Sequence, residues 1–453
     1  MTAVNYAYLY PFASHLEAVP DGHRLTLATC GGAERHPYFF HGRFVQPRRC
    51  ADLLLAVSEI SRTRFYSPGE VRERWLAAAD PVVTSGGDRL RFEAFSVCCG
   101  AYARVDLRSE AVDGDWVSRG TTNVDFNPPM RAALTSIINT ERVGLSVGAN
   151  SVELERGAEK VVERKVKLPV RWLKGFVEVQ AYQPKLQLVF EISAEEARRF
   201  FRTFPTQSVV SKGTISYVVA AGKGLRLSTR EAPNAVLVGA PGRLKVLDPL
   251  LRHAKQLRVY GGPEGVSGWE VVTDDSNFHM VLSPDASRGF SGEGQVLSQL
   301  AKGKGESALA GVKASLKWQS RMDPELLAGQ LHFDTDVISD ALAMLGTRGL
   351  VGYDLADGAF FHRELPFDMQ LVEELHPRLL NARKMVAEKA VRIVKRTGER
   401  VEAYVQGSEL EHRVVIDGEE ANCTCTWNVK HAGARGACRH ILALEVCIAD
   451  SNN

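Results

Sequence analysis

The chain lacks the features that would place it in a membrane or outside the cell. Its 453 residues contain no uninterrupted apolar run of about eighteen, the minimum for a membrane-spanning helix. The first residues, MTAVNYAYLYPFASH, do not combine basic residues with a following apolar run, as a secretory leader does. The eight cysteines are too scattered for a disulfide framework. We therefore expect a soluble cytoplasmic protein with no membrane contact.

Signatures of catalysis are also scarce. No HExxH occurs, and the glycine-rich stretches GGPEGVSG and AKGKGES lack the lysine and hydroxyl spacing of a phosphate loop. GLSVG at 144–148 matches the pattern around a nucleophilic serine, but ANSVELERG follows and alternates like a strand, where that chemistry needs a helix. We interpret Ser146 as a turn residue and predict that the protein is not an enzyme.

Composition indicates an ordinary globular protein of several domains. Hydrophobic residues make up 45% and charged residues 24%, and the length suffices for more than one core. The formal net charge of +2 does not mark a dedicated nucleic-acid binder. Period-2 and helical patterns predict an α+β multidomain fold. Its expected domains are an N-terminal α/β region at 1–205, a β-rich domain at 206–318, a winged-helix-like domain at 319–367 and a C-terminal domain at 368–453 that combines a helix with a cysteine–histidine motif.

Two of these regions have the clearest patterns. In the first, Leu53, Leu54, Val57 and Ile60 recur at helical spacing after the strand-like HPYFFHGRFVQ. In 319–367, two helices, DPELLAGQLHF and DTDVISDALAMLGTRGL, precede a hairpin that turns at Ala-Asp-Gly. This order resembles a winged helix-turn-helix. Residues 368–394 are predicted as helical and 400–416 as a hairpin leading into the last motif.

That motif, CTCTWNVKHAGARGACRH at 423–440, predicts a metal site. Cys423 and Cys425 are two apart on a strand, so both thiolates face one side. Cys438 and His440 follow with the same spacing, where a helix begins and its N-terminus favours a thiolate. Three sulfurs and one imidazole complete a tetrahedral, closed structural Zn²⁺ site. His431 is the only credible substitute ligand, while Cys447 lies about 10 Å along the helix from His440.

The arrangement C-x-C-x12-C-x-H, ending in CRHILAL, resembles the SWIM zinc finger over residues 412–445. The rest of the chain looks like a bacterial SWIM-finger protein. The resemblance implies zinc binding and either DNA binding or protein–protein contacts. It also implies that MoxR-type AAA ATPases or von Willebrand A-domain (VWA) proteins are partners.

Two functional hypotheses remain open. The first is a non-enzymatic adaptor that docks on a partner protein. The second is a DNA-binding protein that binds phosphates through the basic segment 378–400 and the finger loop. Segment 378–400 contains eight basic residues and only two glutamates. The expected contact residues for nucleic acid or a partner are Lys384, Arg392, Lys395, Arg396, Lys430, Arg435 and Arg439.

The charge on the second winged-helix-like helix favours the adaptor. This helix presents Asp336 and Asp340 one turn apart, on the side away from its apolar stripe. A helix that enters a DNA groove presents Arg, Lys, Asn or Gln instead, because acidic groups are repelled by phosphates. We therefore predict that Asp336 and Asp340 bind a partner protein.

Overall fold

A computed structural model describes most of the chain and shows a mixed α/β protein with several antiparallel sheets, as predicted at that level. The described residues are 15–19, 22–26, 38–63, 81–204, 215–262, 265–284, 289–290, 294, 296–302, 305–365, 377–418, 420–433 and 435–452.

The central sheet has eight antiparallel strands. Their spatial order is Gln187–Ser193, Gln256–Gly261, Ser267–Val272, Ser276–Leu282, Ala101–Arg108, Arg89–Phe95, Val82–Ser85 and Gly120–Asn123. One face is apolar and packs against the helix Pro47–Arg62, whose Leu53, Leu54, Val57 and Ile60 are all buried as the spacing predicts. The other face of the sheet carries the hairpin of residues 351–362.

This sheet crosses the division predicted between 1–205 and 206–318. Among its described residues, the region predicted as β-rich contains six strands between Ile215 and Leu282, but Ser276–Leu282 pairs directly with Ala101–Arg108. One hydrophobic core extends from Phe39 to Leu365. The packing thus shows no separate cores on the two sides of position 205.

Smaller sheets and helices surround the central one. A five-stranded sheet has the order Glu159–Arg164, Ser151–Arg156, Val143–Val147, Phe40–Phe44 and Val112–Trp116, and a three-stranded sheet has the order Gly224–Ser228, Ile215–Ala221 and Val236–Gly239. The strands His15–Val19 and Gly22–Thr26 form a hairpin. Further α-helices are Pro128–Ser136, Val170–Val179, Ala194–Arg202 and Val296–Lys302, and 3-10 helices are Ser109–Ala111, Gln183–Lys185 and Pro241–Arg252.

The elements predicted for 319–367 are present. Helices Pro324–Leu331 and Thr335–Thr347 precede the paired strands Val351–Asp354 and Ala359–His362, and the Asp323 carboxylate accepts the Glu325 N–H at the first N-cap. The helix Glu306–Ala314 belongs to the same small core, so this helical unit begins before residue 319.

The C-terminal region differs from its prediction in one element. The helix Pro377–Ala387 is followed by a four-stranded sheet of Val391–Thr397, Arg400–Gln406, Glu411–Asp417 and Glu420–Cys423. The prediction of helix for 388–394 is wrong, because 391–394 belong to a strand that pairs with Arg400–Gln406. Residues 368–376 of that predicted helix lie outside the described residues. The helices Thr426–His431 and Arg439–Asn452 complete the region.

Buried charges join the hairpin of the helical unit to the central sheet. Asp354, at the end of the first hairpin strand, accepts Arg91 and Arg104 from two sheet strands, each with an N–O distance of 2.8 Å. Burial would raise the pKa of Asp354, but the guanidinium groups of Arg104 and Arg91 outweigh it and hold the pKa well below its usual range. A second buried pair, between Arg363 and Glu93, fixes the end of the hairpin. The hairpin is therefore held by fully desolvated ion pairs.

We expect Asp354→Asn to destabilise the protein by about 3–5 kcal/mol, because it leaves two buried guanidinium groups with the single carboxylate of Asp106 between them. Urea unfolding of the purified protein measures the change. The matched control is Asp357→Asn, which removes a partly exposed partner of Arg89 at 3.0 Å and should cost about 0–1 kcal/mol. Equal effects of the two variants would contradict this account.

His362 makes the same hairpin sensitive to acid. Its ring stacks on Trp318 at 4.5 Å, and its Nδ1 accepts the Trp318 backbone N–H at 2.7 Å. Burial lowers the pKa of His362 from 6.5 to about 4. Since the unfolded chain then binds the proton more readily, stability should fall as the pH drops from about 6.5 toward 4.

Thermal unfolding between pH 7 and pH 4 tests this dependence. His362→Gln keeps an acceptor for the Trp318 N–H but does not titrate, so the variant should lose part of the decrease in melting temperature between pH 6.5 and pH 4. An unchanged pH profile in the variant would exclude His362 as a source of the acid sensitivity.

Candidate metal centre

Each predicted zinc ligand lies at the end of a regular element. Cys423 is the last residue of the strand Glu420–Cys423, and Cys425 precedes the short helix Thr426–His431. Cys438 precedes the helix Arg439–Asn452, and His440 is its second residue. The prediction that Cys425 lies on the same strand as Cys423 is therefore wrong, because the strand ends at Cys423 and Cys425 caps the next helix. The second pair, Cys438 and His440, lies at the start of the last helix.

The four side chains converge on one point. Their ligand atoms all lie within 4.8 Å of one another, and every one of these residues is buried. The His440 Nδ1 is 3.7 Å from the Cys423 Sγ and 4.0 Å from the Cys438 Sγ. A tetrahedral zinc ion spaces sulfur and nitrogen ligands about 3.5–3.8 Å apart. The group could hold a metal such as zinc, and it would fill all four positions.

Each of the three sulfurs accepts a hydrogen bond from a backbone amide, as a thiolate would. The Cys423 Sγ accepts the Cys425 N–H at 3.4 Å, and the Cys425 Sγ accepts the Asn428 N–H at 3.4 Å. The Cys438 Sγ accepts the Ile441 N–H at 3.5 Å in the first turn of the last helix. These donors favour the charged form of each sulfur, which is the form that binds metal.

The sulfurs also affect one another's protonation. A hydrogen bond from the Cys423 thiol lowers the pKa of Cys438 to about 4. Sharing that proton with Cys438 raises the pKa of Cys423. The contacts among the sulfurs therefore favour the thiolate form of Cys438, and a metal that binds would displace the remaining thiol protons.

The loop between the two ligand pairs is held by an arginine that the sequence did not single out for this role. Arg378, in the helix Pro377–Ala387, donates from Nη1 to the carbonyl oxygens of Arg435 at 2.8 Å and Ala437 at 3.0 Å. Its guanidinium also lies 4.8 Å from the ring centroid of Trp427, and that of Arg435 lies 4.9 Å from it. Two guanidinium groups thus lie against the Trp427 ring.

The predicted contact residues of the loop have different surroundings. Lys430 is exposed, whereas Arg435 and Arg439 are half-buried. The Arg439 Nε lies 3.3 Å from the Nε2 of the ligand His440. His431, the substitute ligand, packs its ring 4.6 Å from that of Trp427 and is not in the ligand group. Only Lys430 among these side chains is fully available to a partner.

The remaining basic candidates lie on two elements. Lys384 is on the helix Pro377–Ala387 and forms an ion pair with Glu388 at 3.7 Å. Arg392, Lys395 and Arg396 are all on the strand Val391–Thr397 and are exposed. Arg392 pairs with Glu411 at 3.3 Å. The strand therefore concentrates three of the predicted contacts.

The two aspartates of the helical unit are not equivalent. Asp336 is exposed in the first turn of Thr335–Thr347, as predicted. Asp340 is half-buried and engaged in a polar or ionic interaction, and the backbone of Gly305 approaches its carbonyl carbon closely. Only Asp336 therefore remains a candidate for direct partner contact.

Two other polar clusters stand outside this centre. Ser146 lies in the strand Val143–Val147, so its interpretation as a turn residue is wrong, and its Oγ is 2.7 Å from the His41 Nδ1. Its strand is paired on both sides by antiparallel neighbours, so the required strand–turn–helix is missing at this serine. The buried group of Asp106, His279 and Asp354 is already neutralised by Arg91 and Arg104, which disfavours a further cation there.

No helix among the described residues is long and apolar enough to cross a membrane. No model of a known protein family matches the chain, and no curated protein matches it.

Two solved structures show a low similarity in shape. One is a proliferating cellular nuclear antigen from Entamoeba histolytica, with 9% identity, a TM-score of 0.37, and coverage of 55% of this chain and 99% of that chain. The other is the PCNA of A. fulgidus bound to the C-terminal region of FEN-1, with 11% identity, a TM-score of 0.35, and coverage of 54% and 98%. Both similarities are too low to indicate a shared fold or function.

We expect the purified protein to carry one zinc ion per chain and to lose it in Cys425→Ser. Because metal binding and local folding are coupled, the variant should expose the backbone of 377–452 while residues 81–204 stay protected. Native mass spectrometry measures the metal, and hydrogen exchange measures the two regions.

Cys447→Ser is the matched control, because Cys447 is a half-buried cysteine in the last helix that does not belong to the ligand group. It should retain both the metal and the protection. A metal-free native protein, or disulfides among these cysteines, would contradict the assignment.

Proposed function

We propose that this chain is a zinc-binding, non-enzymatic adaptor of the SWIM-finger type, which docks on a partner protein. The observation that carries the proposal is the closed ligand group. Three sulfurs and one imidazole occupy every position of a tetrahedral site, so a bound zinc ion would have no open position for water or substrate. Such a centre stabilises structure, and the function is then expected on the surfaces around it.

The helical unit supplies one such surface. Leu326 is 67% exposed and Phe333 is 37% exposed, and the acidic side chains of Glu325, Asp334 and Asp336 are exposed in the same unit. Exposed apolar side chains together with charge of one sign are typical of protein-binding surfaces. The acidic sign favours a basic partner and disfavours DNA. A MoxR-type ATPase or a VWA protein is the partner class that the SWIM resemblance suggests.

The alternative is a DNA-binding protein. It is favoured by the exposed basic side chains of Lys395 and Arg396 on the strand Val391–Thr397 and by Lys430 on the finger loop. The two functions differ in whether recovery of a partner depends on nucleic acid. Nuclease treatment of the lysate therefore separates them.

We expect Asp336→Lys to abolish recovery of the partner in a pull-down from nuclease-treated native lysate, because attraction to a basic surface becomes repulsion. Stability should change little, since Asp336 is exposed. Asp340 is kept unchanged because it is half-buried and engaged.

The control is Asp248→Lys, the same charge reversal at an exposed site on the 3-10 helix Pro241–Arg252. It should keep the partner. Recovery confirmed with the purified partner would support the adaptor, whereas proteins recovered only in the absence of nuclease would favour the DNA-binding alternative.

A further inference from the structure

The four-stranded sheet of residues 391–423, called the finger sheet below, has one edge available for pairing. The strand Val391–Thr397 is the outermost of four, and its neighbour is Arg400–Gln406. Within the described part of the chain, no strand pairs with its other edge. The edge therefore presents backbone N–H and C=O groups to any extended segment that approaches it.

The hydrogen-bond pattern shows which residues direct their backbone outward. Gln406 donates its N–H to the Ala390 carbonyl at 2.9 Å, so position 390 bonds inward. In an antiparallel ladder these inward-bonding positions alternate with outward-facing ones. Val391 and Ile393 accordingly direct their N–H and C=O groups to the unpaired edge. The register shifts between Ile393 and Lys395, which places a bulge at Val394.

The side chains of this strand combine exposed apolar groups with positive charge. Ile393 is 39% exposed and Val394 is 51% exposed. The sequence VRIVKRT at 391–397 contains three basic residues and no acidic residue. β-Branched residues exposed on an edge strand favour pairing with another strand, and the positive charge selects which strand it is.

We propose that this edge binds an extended acidic segment of a partner protein, which adds a fifth strand to the finger sheet. The segment gains main-chain hydrogen bonds from Val391 and Ile393, apolar contact with the β-branched side chains and ion pairs with the basic ones. This inference rests on the proposed adaptor function and names the chemistry of one partner segment.

The same features disfavour the two nearest alternatives, which are a second copy of this edge and a nucleic-acid backbone. A second copy of this edge would bring three positive charges against three, so edge-to-edge pairing of two chains is disfavoured. Phosphates would be attracted by the charge, but they would make no favourable contact with the exposed apolar side chains of Ile393 and Val394. An acidic, β-branched peptide satisfies both the charge and the apolar side chains.

The probe is a random twelve-residue peptide library displayed on phage and selected on the zinc-loaded full chain. Enriched peptides should be acidic and rich in Val, Ile or Thr. Synthetic, fluorescently labelled copies are then measured by anisotropy, beside a labelled duplex DNA of random sequence. Absence of enrichment, or enrichment of neutral or basic peptides, would overturn the proposal.

Ile393→Pro tests the backbone contact, because it removes an N–H that points away from the sheet's own ladder. Its effect is compared with Ile393→Ala, which shortens the side chain but keeps the N–H. We expect the proline variant to lose roughly tenfold more peptide affinity than the alanine variant. Equal losses would contradict strand addition.

The charge is tested separately, in case the proline variant does not fold. Lys395→Glu with Arg396→Glu should abolish binding of the acidic peptides, while Lys223→Glu, in an exposed turn of another sheet, should leave it unchanged. Retained binding in the double variant would overturn the proposal, as would a duplex DNA bound more tightly than every selected peptide.

The experiments distinguish failure of the edge proposal from failure of the adaptor function. If Asp336→Lys removes the cellular partner but the unmodified chain selects no acidic peptide, the adaptor stands and the edge proposal fails. If peptides bind the edge as expected but no protein partner depends on Asp336, the edge stands without the helical-unit surface.

Discussion

The architecture depends on a row of charged residues that crosses the central sheet. Glu93, Arg104, His279, Glu270, Arg258 and Glu191 are direct cross-strand neighbours on six successive strands. Glu93 lies beside Arg104, and Arg258 lies between Glu270 and Glu191, so opposite charges are neighbours at these positions and stabilise one another. Such a face cannot be covered by an ordinary apolar layer. It is covered by a hairpin that contributes matching charges of its own, Asp354 and Arg363.

This requirement explains the position of the helical unit. Its core is small and its helices are short, yet its hairpin sits over the charged face with a defined register. Buried ion pairs contribute little net stability but penalise any wrong alignment, since a misplaced hairpin would leave several charges unpaired. The acidic surface of the unit therefore has a fixed orientation relative to the sheet. The C-terminal region is tied to the same body, because Val177 of the helix Val170–Val179 belongs to the core that surrounds the candidate metal ligands.

Much of the metal centre could be predicted from the sequence, because three cysteines and a histidine in two equally spaced pairs are a pattern that buried packing alone does not require. The strands and most helices also follow from their periodicity. The charged row could not be predicted, since segments such as RLRFEAF alternate as a half-exposed strand does, and periodicity does not show what covers the polar side. Residues 391–394 were predicted as helix but begin the strand Val391–Thr397, whose pairing with Arg400–Gln406 local periodicity does not show. The role of Arg378 depends on a contact between positions almost sixty residues apart.

The Arg378 contact limits where the sequence of the C-terminal region, residues 377–452, can change in length. It joins the beginning of the region to the loop between the two ligand pairs, so the three strands from 391 to 417 form an excursion whose two ends are held together. The turn of the first hairpin, at Gly398, is far from other atoms, with nothing within 4 Å of an added side chain. Lengthening a turn of this kind costs little free energy, because loop entropy grows slowly with length. Insertions can therefore accumulate at this tip during evolution, and new surfaces can arise there while the four ligand positions stay unchanged.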